Sequence, residues 1–333
     1  MSPTTKKWAR IGLPVVLLVL AVPAGIFVPR LLNDIASMKA YVYGFPLVMM
    51  DVTKDVLTAI NRAGEYKAPM NQWGRIRTYV DPDFKDVVRI SVNSLWSHIF
   101  LDLDREPMIL SVPDTGGHYY VMQVLNMWTD DFAAMGSRTT GTQTGHFMIA
   151  RPKWNGTPPP GVKETFRSST RYAWALVQMS AASPQDFPVI HALQAQLQAT
   201  PLSAWGKTYL PPEEVSVNPD ADTTATPFDQ VQLMDGVAFF DRLAGALKDN
   251  PPYPADTGML KTLKRLGIEP DKDFDPDKVD PDVARSMNKA ALKVFALLGT
   301  AQYDMKTVNG WLLPVNLGRY GTDYNTRAFI AYM

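Results

Sequence analysis

One segment of the chain combines hydroxyl side chains with glycines. Residues 137–145 contain four threonines, one serine and two glycines. Their hydroxyls and backbone amides could surround an anion or a sugar, with Arg138 as the counter-charge and Thr139, Thr140 and Thr142 as hydrogen-bonding groups. The segment has neither the lysine of a P-loop nor a Gly-x-Gly-x-x-Gly pattern, so nucleotide binding is not predicted. The alternative is a long hairpin loop without a ligand.

Histidines and carboxylates offer two further kinds of chemistry. His98, His118 and His146 could converge if their strands are neighbours, but their spacing matches no metal-binding motif. We therefore predict no metal and no cofactor. Asp102 and Asp104 lie close together and could act as an acid–base pair in a hydrolase, with His118 as a further group. The alternative is a solvated turn.

Composition excludes several classes of protein. The chain has no cysteine, which excludes disulfides, thiolate zinc sites, iron–sulfur clusters, cysteine nucleophiles and lipid attachment through an N-terminal cysteine. Lys plus Arg and Asp plus Glu both number 33, so no charge bias indicates a nucleic-acid partner.

The N-terminus has the pattern of an export signal. Lys6, Lys7 and Arg10 precede an uncharged apolar run of 18 residues, Ile11–Val28. Such a run is either a cleaved signal peptide, with small residues before Gly25, or a short membrane anchor with a cytoplasmic N-terminus. We predict that the first 30 residues are one of these two. The rest of the protein is then periplasmic, either free or held at the inner membrane.

The hydrophobic pattern is first helical and then typical of strands. Residues 31–62 have apolar side chains every three or four positions, interrupted by Gly44 and Pro46, which predicts a leader of two helices with a bend. Residues 75–205 contain short β-branched and aromatic runs, which predict an antiparallel β-sandwich or barrel. Strands are predicted at Val87–Ile90, Ile99–Leu101, Met108–Val112, Tyr119–Leu125, Phe147–Ala150 and Tyr172–Met179. Pro113–Gly117 predicts a hairpin between the third and fourth of these.

Residues 206–333 return to a helical pattern and predict a connector. Amphipathic helices are predicted at Phe228–Leu247, Thr257–Leu266 and Asp282–Leu298, and another begins at Tyr324. The predicted fold class is α+β: N-terminal helices, an antiparallel sandwich or barrel-like central domain, and a C-terminal helical connector.

A series of short motifs runs in order through the strand region. They are Leu101-Asp102-Leu103, Val112-Pro113-Asp114, Gly117-His118-Tyr119-Tyr120, Trp128-Thr129, Arg138–Thr142, Pro152–Gly156 and Pro201–Gly206. Together they resemble the exported bacterial family named domain of unknown function 1254. Residues 41–46 and 318–328 resemble its flanking segments. In that family a second β-domain, domain of unknown function 1214, usually follows, so the resemblance implies truncation here. It also implies a β-sandwich and export, and no established reaction.

Four positions depart from the family pattern. The resemblance implies an acid at Asn93 and at Asn126, and an arginine at His118 and at Gln178. Matched loss of two acids and two bases suggests that these positions pair with one another, because a single buried charge left behind is costly. If so, Asn126→Asp and His118→Arg should couple in a double-mutant cycle.

These observations leave three functions open. The first is a binding module for a small polar ligand or saccharide, using Arg138, Thr139, Thr140 and Thr142 together with the four neutralised positions. The second is a periplasmic hydrolase that uses carboxylate and histidine groups. The third is a scaffold that forms homo-oligomers. A membrane partner follows only if the N-terminal segment is retained.

Overall fold

The structure, a computed structural model, describes residues 3–85, 87, 90–300, 305–314 and 317–332. Side chains are described from residue 28 onward within these ranges, except at 305 and 312–314. The helices of this part are α1 (Pro3–Thr58), α2 (Phe187–Ala195), α3 (Pro227–Leu233), α4 (Gly236–Asp249), α5 (Thr257–Arg265), α6 (Pro281–Leu298) and α7 (Tyr324–Tyr332). The predicted α+β class is confirmed.

The strands form two larger sheets and one separate hairpin. They are β1 (Gly74–Arg75), β2 (Ser94–Asp102), β3 (Met108–Val112), β4 (Tyr120–Asn126), β5 (Asp131–Gly136), β6 (Gly145–Ala150), β7 (Glu164–Arg167), β8 (Tyr172–Ser180), β9 (Gln198–Pro201), β10 (Met305–Val308) and β11 (Trp311–Pro314). One sheet has the order β1-β2-β8-β4-β5 and the other β7-β6-β3-β9. Apolar residues of both sheets share one buried cluster, so the sheets pack face to face.

The five-stranded sheet is the middle layer of the molecule. Alternate side chains of a strand point to opposite faces, so one set enters the core between the sheets and the other faces away. Phe100 of β2, Leu125 of β4 and Trp174 of β8 belong to the second set and pack against α1 and the C-terminal helices. This face of the sheet is therefore where the sandwich meets the helical layer.

The predicted division of the leader into two helices is wrong, because α1 runs without interruption through Gly44 and Pro46. Phe45 and Leu47 are fully buried, and their packing stabilises the helix where proline removes a hydrogen bond. Gly44 serves close packing: a Cβ there would lie 2.5 Å from Leu243 Cδ2 of α4. Tertiary contacts have overridden a local helix-breaking signal.

Two predicted hairpins are connections between the sheets. Pro113–Gly117 joins β3 to β4, but β3 pairs with β6 and β9 whereas β4 pairs with β5 and β8. Every residue of β3 is buried, which favours a central position with a neighbour on each side. Residues 137–145 likewise lead from β5 to β6 in the other sheet. Gly116 and Gly117 do adopt the positive φ expected of turn glycines, 59° and 85°.

Other boundaries differ for local reasons. Val87 and Ile90 are outside any strand, and Val88 and Arg89 fall outside the described residues, so that predicted strand is not found. The long helix predicted at Phe228–Leu247 is divided into α3 and α4, because Asp235 caps α4 by accepting a hydrogen bond from the Ala238 amide. Short β5, β7 and β9 were not predicted, since they lack runs of β-branched residues.

Most of the predicted export segment, residues 1–27, lies outside the part of the chain whose side chains are described. Within the described part, no helix is both long and apolar enough to cross a membrane. The domain boundaries proposed from sequence stay predictions.

Candidate functional site

The turn between β4 and β5 is built around one asparagine. Oδ1 of Asn126 accepts hydrogen bonds from the backbone amides of Trp128, at 2.8 Å, and of Asp130, at 3.2 Å. The amide of Thr129 donates to the Asn126 carbonyl at 3.0 Å. This bonding holds Thr129 at a φ of 64°, a left-handed conformation that is strained for a β-branched residue. The turn thereby fixes the direction of the Asp130 side chain.

The side-chain nitrogen of Asn126 connects the turn to two distant segments. Nδ2 donates to Ser169 Oγ, at 3.0 Å, and to the Tyr253 hydroxyl, which also accepts from Ser169 at 3.2 Å. Tyr253 in turn donates to Oδ2 of Asp130. Burial raises the pKa of Tyr253, and the nearby Asp130 carboxylate raises it further. The phenol therefore stays protonated as a donor to Asp130.

Asp130 faces a fully buried arginine, Arg327 of α7. Nη2 of Arg327 lies 3.5 Å from Asp130 Oδ2 and donates to the Gly321 carbonyl at 2.7 Å. The guanidinium also lies over the rings of three aromatic residues at 5.4–5.9 Å from their centroids: Trp128, Tyr253 and Tyr324. Within the described part, its Nε and Nη1 have no hydrogen-bond partner. One carboxylate and three π-faces thus stabilise this cation.

A second buried carboxylate completes the network. Asp256 accepts hydrogen bonds from the hydroxyls of Tyr43 at 3.0 Å and Tyr324 at 2.8 Å, and from the Tyr253 amide at 3.0 Å. Burial, together with the Asp256 charge, raises the pKa of Tyr324 to about 12. Asp256 therefore ties α1, α7 and the segment after α4 to the same place.

A cavity of about 730 Å³ opens beside this network. Its hydrogen-bonding and charged side chains are Asn126, Asp130, Asp131, Arg167, Ser169, Tyr253 and Arg319. Arg167 and Arg319 are exposed, and burial raises the pKa of Asp131. Phe132 adds an aromatic wall. A volume of roughly 300–1,000 Å³ with a few polar groups suits a small molecule.

Of the eight residues predicted from sequence, Asn126 lines this cavity. Asn93, His118 and Gln178 lie at the opposite end of the five-stranded sheet, where backbone bonds from Ala181 to Asn93 and from Ser180 to Tyr119 close the strand ends. A strand rises about 3.3 Å per residue, so β4 alone separates the two ends by roughly 20 Å. The hypothesis that all four neutralised positions meet is therefore wrong. Their strands are neighbours, but the positions lie at different levels.

The threonine-rich segment lies at that same far end and bonds largely to its own turn. Thr140 Oγ1 accepts from the Gly136 amide at 3.1 Å, and Thr139 Oγ1 donates to the Gly136 carbonyl at 3.3 Å. The carbonyl of Thr142 accepts from the Thr115 amide at 2.9 Å. Arg138 is exposed. None of these four residues lines the cavity described above.

In the described part of the chain, no group of three or more His, Asp or Glu side chains could hold a metal ion, and the possible convergence of the three histidines is not found. His98 has both ring nitrogens engaged: Nε2 donates to the Tyr66 carbonyl at 2.6 Å, and Nδ1 accepts from Trp174 Nε1 at 3.5 Å. A carbonyl only accepts and an indole N–H only donates, so the His98 ring is neutral. His146 pairs instead with Ser111 at 2.8 Å.

The predicted acid–base pair is divided between two ion pairs. Asp102 receives two hydrogen bonds from Arg171, at 2.9 and 2.7 Å, and Asp104 receives one from Arg151 at 2.7 Å. Burial opposes the effect, but the Arg171 hydrogen bonds lower the pKa of Asp102. Carboxylates held in this way serve structure better than proton transfer.

The sequence interpretation missed the centre of the network. Asp130, Tyr253 and Arg327 were not singled out, although Trp128-Thr129 and the 318–328 segment were among the motifs that carried the resemblance. A lone arginine directly before the apolar run Ala328–Tyr332 is the sequence signal that could have indicated a buried charge.

Fold and site define an α+β protein with a two-sheet core and a polar cavity at its junction with a helical layer. Residues 70–201 match the family model described as "Protein of unknown function (DUF1254)", which confirms the resemblance over those residues. No curated protein matches the chain.

Two solved structures are similar to this chain. The crystal structure of the VPA0106 protein from Vibrio parahaemolyticus has a TM-score of 0.62 and 24% identity, covering 90% of this chain and 66% of that one. The chain thus spans about two thirds of that protein, and the likeness shows the fold. The crystal structure of an uncharacterized protein from Burkholderia cenocepacia has 10% identity and a TM-score of 0.29, and the match covers 82% of this chain and 58% of that one. A TM-score this low supports no conclusion about the fold.

The distance between Asn126 and His118 predicts that substitutions at the two positions change the free energy of unfolding independently. Asn126→Asp removes the donor to Ser169 and Tyr253 and should lower the free energy of unfolding by about 2 kcal/mol. His118→Arg should change it by less than about 0.5 kcal/mol, and the double variant should equal the sum to within about 0.5 kcal/mol. Denaturant unfolding measures all three. Asn93→Asp, the same change at an exposed position, is the control and should be near neutral. A coupling above about 1 kcal/mol would contradict the placement of these residues.

The burial of His98 predicts that the protein loses stability as the pH falls. Burial lowers the pKa of His98 from 6.5 to about 4. The unfolded chain therefore binds the proton first, so this contribution to stability is complete above pH 6.5 and is lost as the pH falls toward 4. The loss amounts to about 3 kcal/mol. His98→Gln should remove that part of the pH dependence, measured by denaturant unfolding between pH 7 and 4, whereas His118→Gln should retain it. An unchanged slope in His98→Gln would refute the assignment.

Proposed function

We propose that this protein is an exported binding module whose cavity beside the Asn126 turn holds a small polar ligand, a sugar or a sugar acid. The observation that carries the proposal is the cavity of about 730 Å³ whose wall belongs to the hydrogen-bonded network of Asn126, Tyr253 and Asp130. Rigid walls lower the ordering cost of binding, because few groups lose freedom when the ligand enters.

The groups that face the cavity suit a hydroxyl-rich ligand with a negative charge. Arg319 is an exposed guanidinium group that can donate in pairs to a carboxylate. Arg167 is exposed as well, and its Nη1 already donates to the Trp154 carbonyl at 2.6 Å, which leaves its other nitrogens for a ligand. Asp131 and Ser169 offer groups for sugar hydroxyls, and the Phe132 ring offers an apolar face for stacking. Asp130 is already engaged by Tyr253, Arg327 and the Tyr320 amide, which favours binding over proton transfer.

A matched panel of sugars tests the proposal on the purified full chain. We expect a hexuronic acid such as galacturonate to raise the melting temperature and to bind more tightly than the corresponding hexose in calorimetry. Arg319→Gln should weaken uronate binding about tenfold, because it removes a charge-assisted hydrogen bond. Arg138→Gln is the control: it removes an equally exposed arginine from the threonine-rich segment and should leave binding unchanged.

Three outcomes would count against this function. Loss of binding in Arg138→Gln with retention in Arg319→Gln would move the site to the threonine-rich segment. Binding of neither sugar would reject the ligand class. Release of a hydrolysed product from glycosides would favour the enzyme alternative.

Export rests on the N-terminal pattern of Lys6, Lys7 and Arg10 before an apolar run. A fusion of residues 1–40 to a reporter active only in the periplasm should be active, and replacing the three basic residues by glutamate should reduce its activity. Lys39→Glu, beyond the apolar run, is the control and should not reduce it. A silent fusion would contradict export, and N-terminal sequencing decides between cleavage and anchoring.

A further inference from the structure

Four apolar side chains form an exposed stripe on one face of α1, where its described side chains begin. Each is 42–50% exposed, and they are Val28, Leu31, Leu32 and Ile35. With 3.6 residues per turn, these four positions lie within about 100° of one another around the helix axis. Ser37 and Ala40, on the other side of the helix, are fully buried. Single apolar residues on a surface are ordinary, but a contiguous set of them indicates a contact with another molecule.

The apolar stripe is continuous with the apolar run of the N-terminus. Ile11–Val28 precedes it on the same helix, since α1 begins at Pro3. An α-helix rises 1.5 Å per residue, so the run of 18 residues is about 27 Å long, whereas the hydrocarbon core of a bilayer is about 30 Å thick. Leu31 and Leu32 lie in the next helical turn. They supply the missing length on the side of the membrane to which the body of the protein is exported.

Basic side chains lie at the end of the apolar stripe. Lys39 is exposed and follows Ile35 by one turn on the same face of α1. Arg30 is half-exposed and pairs with Asp282 of α6 at 3.3 Å. Long basic side chains at the end of an apolar segment place their charge among the lipid headgroups, while their stems stay in the apolar layer. The order of apolar run, apolar stripe and basic residues is therefore that of a helix that leaves a membrane.

We propose that the apolar stripe of α1 lies in the interfacial layer on the exported side of the membrane and holds the body of the protein against the lipid. The proposal rests on the anchored form of the export prediction, in which α1 keeps its N-terminal run. A second copy of the chain fits the stripe less well, because coiled-coil seams extend over three or four heptads whereas this stripe ends after one heptad, at Lys39. Since α1 continues without a break into the helical core, the body is held by a rigid connection.

Single-cysteine labelling tests the proposal on the full chain in phosphatidylcholine nanodiscs, because the chain has no cysteine of its own. Leu31→Cys and Ile35→Cys each carry an environment-sensitive fluorophore such as NBD. We expect blue-shifted emission at both positions, loss of fluorescence with spin-labelled lipid, and protection from iodide in the water. Val189→Cys is the control: Val189 is 47% exposed on α2, whose Ile190 and Leu193 pack into the core between the sheets. Its label should respond to iodide and not to spin-labelled lipid.

The proposal fails in any of three cases. Iodide quenching at Ile35→Cys as strong as at Val189→Cys would show that water covers the stripe. Protection from iodide without quenching by spin-labelled lipid would show that protein, such as a second copy, covers it. A mature protein that begins at Gly25 would lack the run that holds the stripe at the membrane. Sugar binding and the periplasmic reporter are measured separately, so their failure is distinguishable from all three.

Discussion

The pair formed by partly buried Asp130 and fully buried Arg327 is the interaction on which the junction of sandwich and helices depends. Removing two charges from water is expensive, and their attraction repays that cost only when neighbouring groups satisfy the rest of their bonding capacity. Tyr253 and the Tyr320 amide do so for Asp130. The aromatic faces and the Gly321 carbonyl do so only in part for Arg327, whose Nε and Nη1 have no hydrogen-bond partner in the described part of the chain. These groups come from the β4–β5 turn, the segment after α4 and residues 320–327, so the pair links these three segments.

The strained turn follows from the same constraint. Asp130 can reach Arg327 only if the chain reverses tightly after β4, and the Asn126 side chain provides that reversal through two backbone amides. Thr129 accepts an unfavourable φ as a result. Rigid surroundings maintain this strain. The same turn, which carries Asp130, also forms part of the wall of the polar cavity.

Sequence patterns predicted elements whose identity depends on local residues. Met108–Val112 and α7 were found because β-branched and apolar periodicity is a property of neighbours in the chain. The pairing of β3 with β6 and β9 was not predicted, because the turn residues Pro113–Gly117 do not determine which sheet the next strand joins. Asn126 entered the candidate site through family resemblance. Arg327 was not included in the predicted site, because its complete burial is evident only in the folded chain.

The ion pairs of α1 also determine the order in which the molecule can be completed. Asp51 pairs with Arg242, 191 residues further along the chain, and Asp34 with Lys289, 255 residues further along. The N-terminal helix is synthesised long before its partners. The face of α1 that is buried in the folded protein is therefore uncovered for most of the period of synthesis. The sheets can meet earlier, because their strands lie within residues 74–201. The ion-paired face of α1 can therefore be completed only after at least 190 further residues have been made.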